Sequence, residues 1–343
     1  MADQEASEPA PPLFDPVPLP ALAPGQLTAE QLSPPLREWA GSPPMRALAK
    51  ASGWDWPIAS DTLGLLTRLA GLAEDWNFLA RERVEERHLM RTGPADVNSR
   101  IVPEDLIAAA AQALGMVWTS PVPPEPFTFL AVLAGQVKAC VNRTKLAAEL
   151  LRSGLAADST VVLGAHRHLV SDEPGQARDL GFGDIFDEAD AVLAATREAF
   201  DLGDPEESET SWPAPAEWDE ALHGASARYR WKEVEVVIVP SSDLGRGRAD
   251  TTDQLRYWAE LAGLGPDDRV LLITTQLYVP FQQLAALRWL GLARGCSVYC
   301  SGVDATNSAL PLPGRGGREY LLEIRKALQN ARELMAAAQQ GGD

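Results

Sequence analysis

Cysteine is scarce: the chain has three, Cys140, Cys296 and Cys300. Three thiols cannot build a disulfide framework, and their number suits a reducing compartment. Cys296 and Cys300 lie in CSVYC. On a strand they share a face but stand too far apart to chelate a metal readily, so buried strand thiols are expected and no metal site. Long apolar runs are missing too. No stretch reaches the roughly 18 apolar residues that a membrane span needs. The opening residues, MADQEASEPAPP, carry neither the basic segment nor the apolar segment of a secretory signal. Basic charge is short: 30 Lys and Arg stand against 48 Asp and Glu, a net charge of −18. Such a surface repels phosphate backbones and argues against nucleic acid as a partner. Three nucleotide and hydrolase motifs are absent as well: GxGxxG after the first strand, GxxxxGK[ST], and GxSxG. The expectation is a cytoplasmic protein with a small-molecule ligand, no membrane contact and an oligomeric state left open.

What is present is an alternation of element types along 343 residues, enough for one large domain or two modest ones. Residues 1–26 are acidic and Pro-rich and read as disordered or draped over the fold. Residues 27–120 read as a helical subdomain leaning on a sheet. Thr28 with Gln31 resembles a capping box, Asp61 can cap a helix, and Pro103 opens another. From 127 to 338 short apolar runs alternate with helical patterns. FTFLAVLAG, STVVLGA, VEVVIVP, RVLLITT and CSVYCSG read as strands buried on both faces. Asn142 is the expected N-cap of the helix after the first strand. Residues near 201–230 read as an acidic surface insertion bearing Trp212 and Trp218. Repeated βαβ units imply an α/β fold: a doubly wound, mainly parallel five-stranded, Rossmann-like sheet beside the helical subdomain.

Open parallel sheets bind ligands beyond the carboxyl ends of their strands. The residues that follow each strand are therefore the site candidates. The first strand is followed by Gly135 and Gln136, and the second by Gly164, Ala165, His166 and Arg167. The third leads into Ser241 and Ser242, the fourth into Thr274, Thr275 and Tyr278, and the fifth into Ser301 and Gly302. Small residues let a ligand approach backbone N–H groups, and hydroxyls donate to phosphate, ribose or carboxylate oxygens. Arg143 can reach back from its helix to an anion at the strand end. Arg167, near His168 and Glu173, suits anion recognition. In RGRADTTDQ, Asp250 or Thr251 can cap a helix whose N-terminus adds partial positive charge, and Arg246 and Arg248 add full charges.

The order of these features resembles the YdcF/SanA/ElyC family of bacterial α/β proteins. The residues that carry the resemblance are Leu133-Ala134-Gly135, Arg143, Glu173, the segment Arg248-Ala249-Asp250-Thr251-Thr252-Asp253, and Thr274-Thr275 through Gln282. They span about 127–305. The resemblance implies a nucleotide-like ligand, with S-adenosylmethionine the named candidate cofactor.

Three functions stay open at this stage. One is a transferase or hydrolase acting on a nucleotide-like or phosphorylated small molecule. In it Glu173 or Asp250 serves as the catalytic base, or as acceptor for a ribose hydroxyl, and Arg143, Arg167 and Arg248 hold the anion. Gly135, Gln136, His166, Ser241, Ser242, Thr251, Thr252, Thr274, Thr275, Tyr278 and Gln282 complete the ligand contacts. The second is a module that senses such a ligand without turnover. The third is a scaffold that docks through the Trp-bearing insertion.

Overall fold

Apolar runs rich in Val, Leu and Ile are too short for helices and have no polar face, so they are buried from both sides as strands. In the computed structural model, which describes residues 13–20, 27–78, 102–119, 121–211, 225–240 and 249–341, they form β1 (Phe127–Leu133), β2 (Ala157–Ala165), β5 (Val234–Val239), β6 (Arg269–Thr275) and β7 (Ser297–Val303). These five pair in parallel. Two more strands, β3 (Glu207–Ser211) and β4 (Ser226–Arg230), add to the edge in antiparallel fashion. The sheet thus has seven strands in the order β3-β4-β5-β2-β1-β6-β7, which corrects the expected five. The two extra strands lie where an insertion was expected. Their sequences, ESETS and SARYR, lack the apolar content that marks the others, and every residue of β3 is exposed. Charge on this edge also discourages further strand pairing. Residues 212–224 between them, with Trp212 and Trp218, lie outside the described residues, as do 1–12 and 21–26.

Side chains alternate across the sheet, and each face has its own core. Leu130, Val132 and Val162 point towards α5 (Val137–Arg152) and α7 (Glu188–Phe200). Ala131, Leu133 and Leu163 point the other way, towards α8 (Thr251–Leu261), α9 (Val279–Ala286) and α10 (Gly317–Gln340). On that side Trp258 of α8 is fully buried and meets the Phe129 ring edge-on at 5.4 Å. Such a pair adds about 0.5–1.5 kcal/mol beyond its area burial. A short helix, α6 (Glu173–Asp179), follows β2.

The N-terminal helices are α1 (Ala29–Ala40), α2 (Pro43–Ala51), α3 (Thr62–Leu72) and α4 (Glu104–Ala113). Thr28 and Gln31 form the capping box of α1, and Asp61 caps α3 through Gly64 N. Of these, α1, α3 and α4 pack on α10, α2 packs on α4, and all four share the apolar cluster of α10. They therefore reach the sheet mainly through the last helix of the chain. The described N-terminal segment 13–20 is drawn in as well: Val17 N donates to Ala113 O, and Gln283 Nε2 donates to Pro20 O.

One glycine at the carboxyl rim is sterically required. A Cβ on Gly302, opposite Thr274 in the β6–β7 register, would lie 2.5 Å from the Gln276 Cα and 2.6 Å from its nitrogen. Backbone cannot yield as a side chain can. Gly302→Ala is expected to lower unfolding stability by about 1–3 kcal/mol in urea titration. Gly203→Ala, with open space around its Cβ position, is expected to change it by less than about 0.5 kcal/mol.

Candidate functional site

The chain runs β1, β2, β5 to one side of β1 and then returns through β6 and β7 on the other. At the carboxyl ends the connections from β1 and β6 therefore diverge, and Arg143 of α5 spans the gap between them. Its Nη1 donates to Leu133 O at 2.7 Å and Ala134 O at 2.6 Å, and its Nε donates to Thr275 Oγ1 at 3.1 Å. The guanidinium carbon lies 5.7 Å from the Tyr278 ring centroid. Arg143 is 2 % exposed, yet no carboxylate among the described residues pairs with it and none of them bonds its Nη2. Burial pulls its pKa below the ordinary arginine range, the direction expected of a cation without a counter-ion. Gly135 keeps this arrangement open: a Cβ there would meet Arg143 Nη1 at 3.2 Å.

Glu173 is 1 % exposed and tied on both oxygens. Oε1 accepts from Arg167 Nη2 at 2.9 Å and from Val137 N at 3.3 Å; Oε2 accepts from Arg167 Nη1 at 2.8 Å and Val170 N at 2.9 Å. The carboxylate thus sits at the N-terminus of α5, where helical N–H groups favour negative charge. Gln136 is the N-cap of that helix and makes no side-chain cap bond. Arg167 also donates from Nε to Glu188 Oε2 at 2.6 Å. Burial opposes the Arg167 charge, but its bonds to Glu173 and the charge of Glu188 outweigh burial and raise its pKa. His166 Nδ1 lies 3.2 Å from Asp187 Oδ1, which also caps α7 through Ala189 N.

Asp250 is the N-cap of α8, its carboxylate accepting from Thr252 N and Asp253 N. Thr251 accepts from Gln282 Nε2 at 3.1 Å, which joins the start of α8 to α9. Thr274 is fully buried, and neither its Oγ1 nor Gln282 Oε1 has a hydrogen-bond partner among the described residues. The predicted residues therefore form three groups. Gly135, Arg143, Thr275 and Tyr278 meet between β1 and β6; His166, Arg167 and Glu173 meet at the end of β2; Asp250, Thr251, Thr252 and Gln282 join α8 to α9. Ser241, Ser242, Arg246 and Arg248 lie outside the described residues.

Burial pushes the thiols of Cys140 and Cys300 up to about 12 and that of Cys296 to about 11, so they remain protonated near neutrality. No group of three or more His, Cys, Asp and Glu suited to a metal occurs among the described residues. No described helix is long and apolar enough to cross a membrane. A cleft of about 340 Å³ opens at the amino end of β2 and β5, beside Trp231 and Trp258. Its cations are matched: Arg228 pairs with Glu235, Arg230 with Glu207 and Glu209, and Lys232 with Glu233.

Sequence reasoning missed the loop that follows β7. Asn142, expected as an N-cap, lies inside α5, which begins earlier, at Val137. Its side chain bonds reciprocally with Leu310, donating to O at 3.1 Å and accepting from N at 2.7 Å. Asp304, buried, accepts from the N and Oγ1 of Thr119, both at 2.8 Å, and from the N and Oγ1 of Thr306 at 2.7 and 2.6 Å. The strand-end stretch SGVDATN could have flagged Asp304; Thr119 is too distant in sequence. The same loop brings Arg315 to Glu319 Oε1 at 2.7 Å.

Burial works to raise the Asp304 pKa, but the bonds from Thr306 and Thr119 prevail and lower it. Its stabilising contribution is therefore present above the ordinary aspartate range and is lost as pH falls through the depressed folded value. Asp304→Asn is expected to reduce stability at neutral pH, with the deficit shrinking on acidification. Urea midpoints of both proteins across the acid range check this; parallel curves would contradict it.

Residues 23–115 match the family described as Rv3785 N-terminal domain. Over nearly its whole length the chain is similar to "Uncharacterized protein Rv3785" of Mycobacterium tuberculosis (strain ATCC 25618 / H37Rv). The identity is 23 % over 342 residues, covering 93 % of this chain and 94 % of the relative. The same figures hold for "Uncharacterized protein Mb3814" of Mycobacterium bovis. No solved structure matches. These findings overturn the resemblance to the YdcF/SanA/ElyC family. Its marks were small and hydroxyl residues at strand ends, an Arg and a Glu near helix starts and a helix-capping segment, features that parallel sheets of many families share. The chain is similar along almost its full length to the Rv3785 proteins, and in its helical N-terminal part to the domain named after them.

Proposed function

We propose that this chain binds an anionic small molecule, phosphorylated or nucleotide-like, in the crevice between the ends of β1 and β6. The observation that carries this reading is the Arg143 guanidinium: 2 % exposed, hydrogen-bonded only to carbonyls and a hydroxyl, and without a carboxylate partner among the described residues. A buried charge is costly unless it is paired. An anion in the crevice offsets that cost and takes up the unused Nη2. The strand order supports the location. The parallel part, β5-β2-β1-β6-β7 with helices on both faces, reads as a doubly wound, Rossmann-like sheet whose order reverses at β1 and β6, where such sheets bind ligands. The three free thiols fit a cytoplasmic setting.

Recognition without an assigned reaction is the form this proposal takes. Glu173 and Asp250, the two carboxylates suited to base chemistry on sequence grounds, are engaged in an ion pair and a helix cap. Their carboxylate oxygens are taken up by these donors within the fold. Glu173 also fills the N-terminus of α5, which directs an incoming anion to Arg143 instead.

Thermal unfolding of the full chain with phosphate, pyrophosphate, AMP or ADP, and with adenosine as the phosphate-free control, tests this. At least one phosphate compound is expected to raise Tm, and saturation at about 100 Kd corresponds to about 2.7 kcal/mol. Arg143→Met is expected to abolish the shift. Should that variant not fold, Thr275→Val, which frees the Nε and loosens the guanidinium, is expected to weaken it. The reading falls if no phosphate compound stabilises the protein, or if the shift survives undiminished in the folded variant.

A further inference from the structure

A continuous line of contacts leads from Arg143 away from the sheet and across α9 to α10. The Arg143 guanidinium lies over Tyr278, whose ring meets Phe281 edge-on at 6.0 Å. Lys326 Nζ stands 5.4 Å from the Phe281 ring centroid and bonds Glu323 Oε1 at 2.8 Å. Both aromatic rings are only partly buried. Glu323 is 2 % exposed, and its other oxygen, Oε2, is buried with no hydrogen-bond partner among the described residues. Gln282, next to Phe281 and one helical turn beyond Tyr278, likewise has a buried Oε1 without a partner among the described residues, its Nε2 being committed to Thr251. Arg315 lies near Tyr278 and Glu323, though its Nη1 is held by Glu319.

The chemistry of the two ends differs. Arg143 calls for an acceptor with negative charge. Glu323 Oε2 and Gln282 Oε1 are acceptors themselves and call for donors. A buried carboxylate oxygen without a donor is costly, and each such atom in a native fold asks for an explanation. Aromatic faces between the two ends suit the C–H faces of a sugar or polyol. A bare inorganic anion would satisfy Arg143 and leave the far end unsatisfied.

Building on the anion-binding reading of Arg143, we propose that the ligand is a hydroxylated organic phosphate. Its phosphate faces Arg143. Its hydroxyl-bearing part lies across Tyr278 and Phe281 and donates to Glu323 Oε2 and Gln282 Oε1. Glu323 and Gln282 are thus specificity residues of the crevice, supplied by helices rather than by strand-end loops.

Isothermal titration of the full chain with inorganic phosphate, methyl phosphate and ribose 5-phosphate tests this. Ribose 5-phosphate is expected to bind at least about tenfold tighter than methyl phosphate, the factor corresponding to one hydrogen bond to a charged group. Glu323→Gln replaces an acceptor by a donor at nearly constant volume. It is expected to remove that advantage, so that ribose 5-phosphate and methyl phosphate bind the variant alike. Circular dichroism melting reports whether the variant folds; if it does not, Gln282→Met decides in its place. Equal affinities for methyl phosphate and ribose 5-phosphate, or an advantage that survives in the folded variant, would overturn this inference and leave the Arg143 reading standing. Failure of ribose 5-phosphate to bind would also overturn this inference, whereas the Arg143 reading falls only if pyrophosphate, AMP and ADP fail as well.

Discussion

The carboxyl rim of this protein depends on one buried cation. Arg143 donates to the last carbonyls of β1 and to the Thr275 hydroxyl at the end of β6, and so bridges the two strands from which the chain departs in opposite directions. Strand-end carbonyls buried away from water need donors. A guanidinium supplies several in a fixed plane, which an ammonium cannot. The structural task uses Nη1 and Nε. What remains is a charge without a partner carboxylate among the described residues.

That remainder is conspicuous because half-buried cations elsewhere among the described residues meet carboxylates. Arg167 is enclosed by Glu173 and Glu188, Arg315 is held by Glu319, and the cations of the cleft at the amino end of β2 and β5 each face a glutamate. In a chain of net charge −18, negative groups are plentiful. Glu173 occupies the N-terminus of α5, the helix that carries Arg143, and is itself neutralised by Arg167. The two features fit together: a fixed internal carboxylate where the helix would otherwise attract an anion, and an open guanidinium beside it.

The five parallel strands were legible because burial on both faces leaves a signature in the sequence, a continuous apolar run of strand length. The edge strands β3 and β4 were not. Glu207, Glu209 and Arg230 are surface charges, and their pairing follows from tertiary position rather than from pattern. At the rim, Arg143 stood out as a cation early in a helix after a strand. The roles of Glu173 and Asp250 were harder to read. A carboxylate near a helix start can cap, pair or catalyse, and only the placement of Val137, Arg167 and Thr252 decides among these contacts. Glu323 and Asp304 escaped because part of their surroundings comes from segments far away in sequence: α9 for Glu323 and Thr119 for Asp304. Glu323 looks like any acidic residue on an amphipathic helix until α9 is packed against it.

The most direct test of the central claim is a crystal structure of the full chain grown with the phosphate compound that stabilises it most. The account predicts a phosphate oxygen within hydrogen-bond distance of Arg143 Nη2, between the loops that follow β1 and β6, with Glu173 still bound to Arg167. A phosphate held elsewhere while Arg143 keeps only its present partners, or a carboxylate side chain of the protein closing onto that guanidinium, would contradict it.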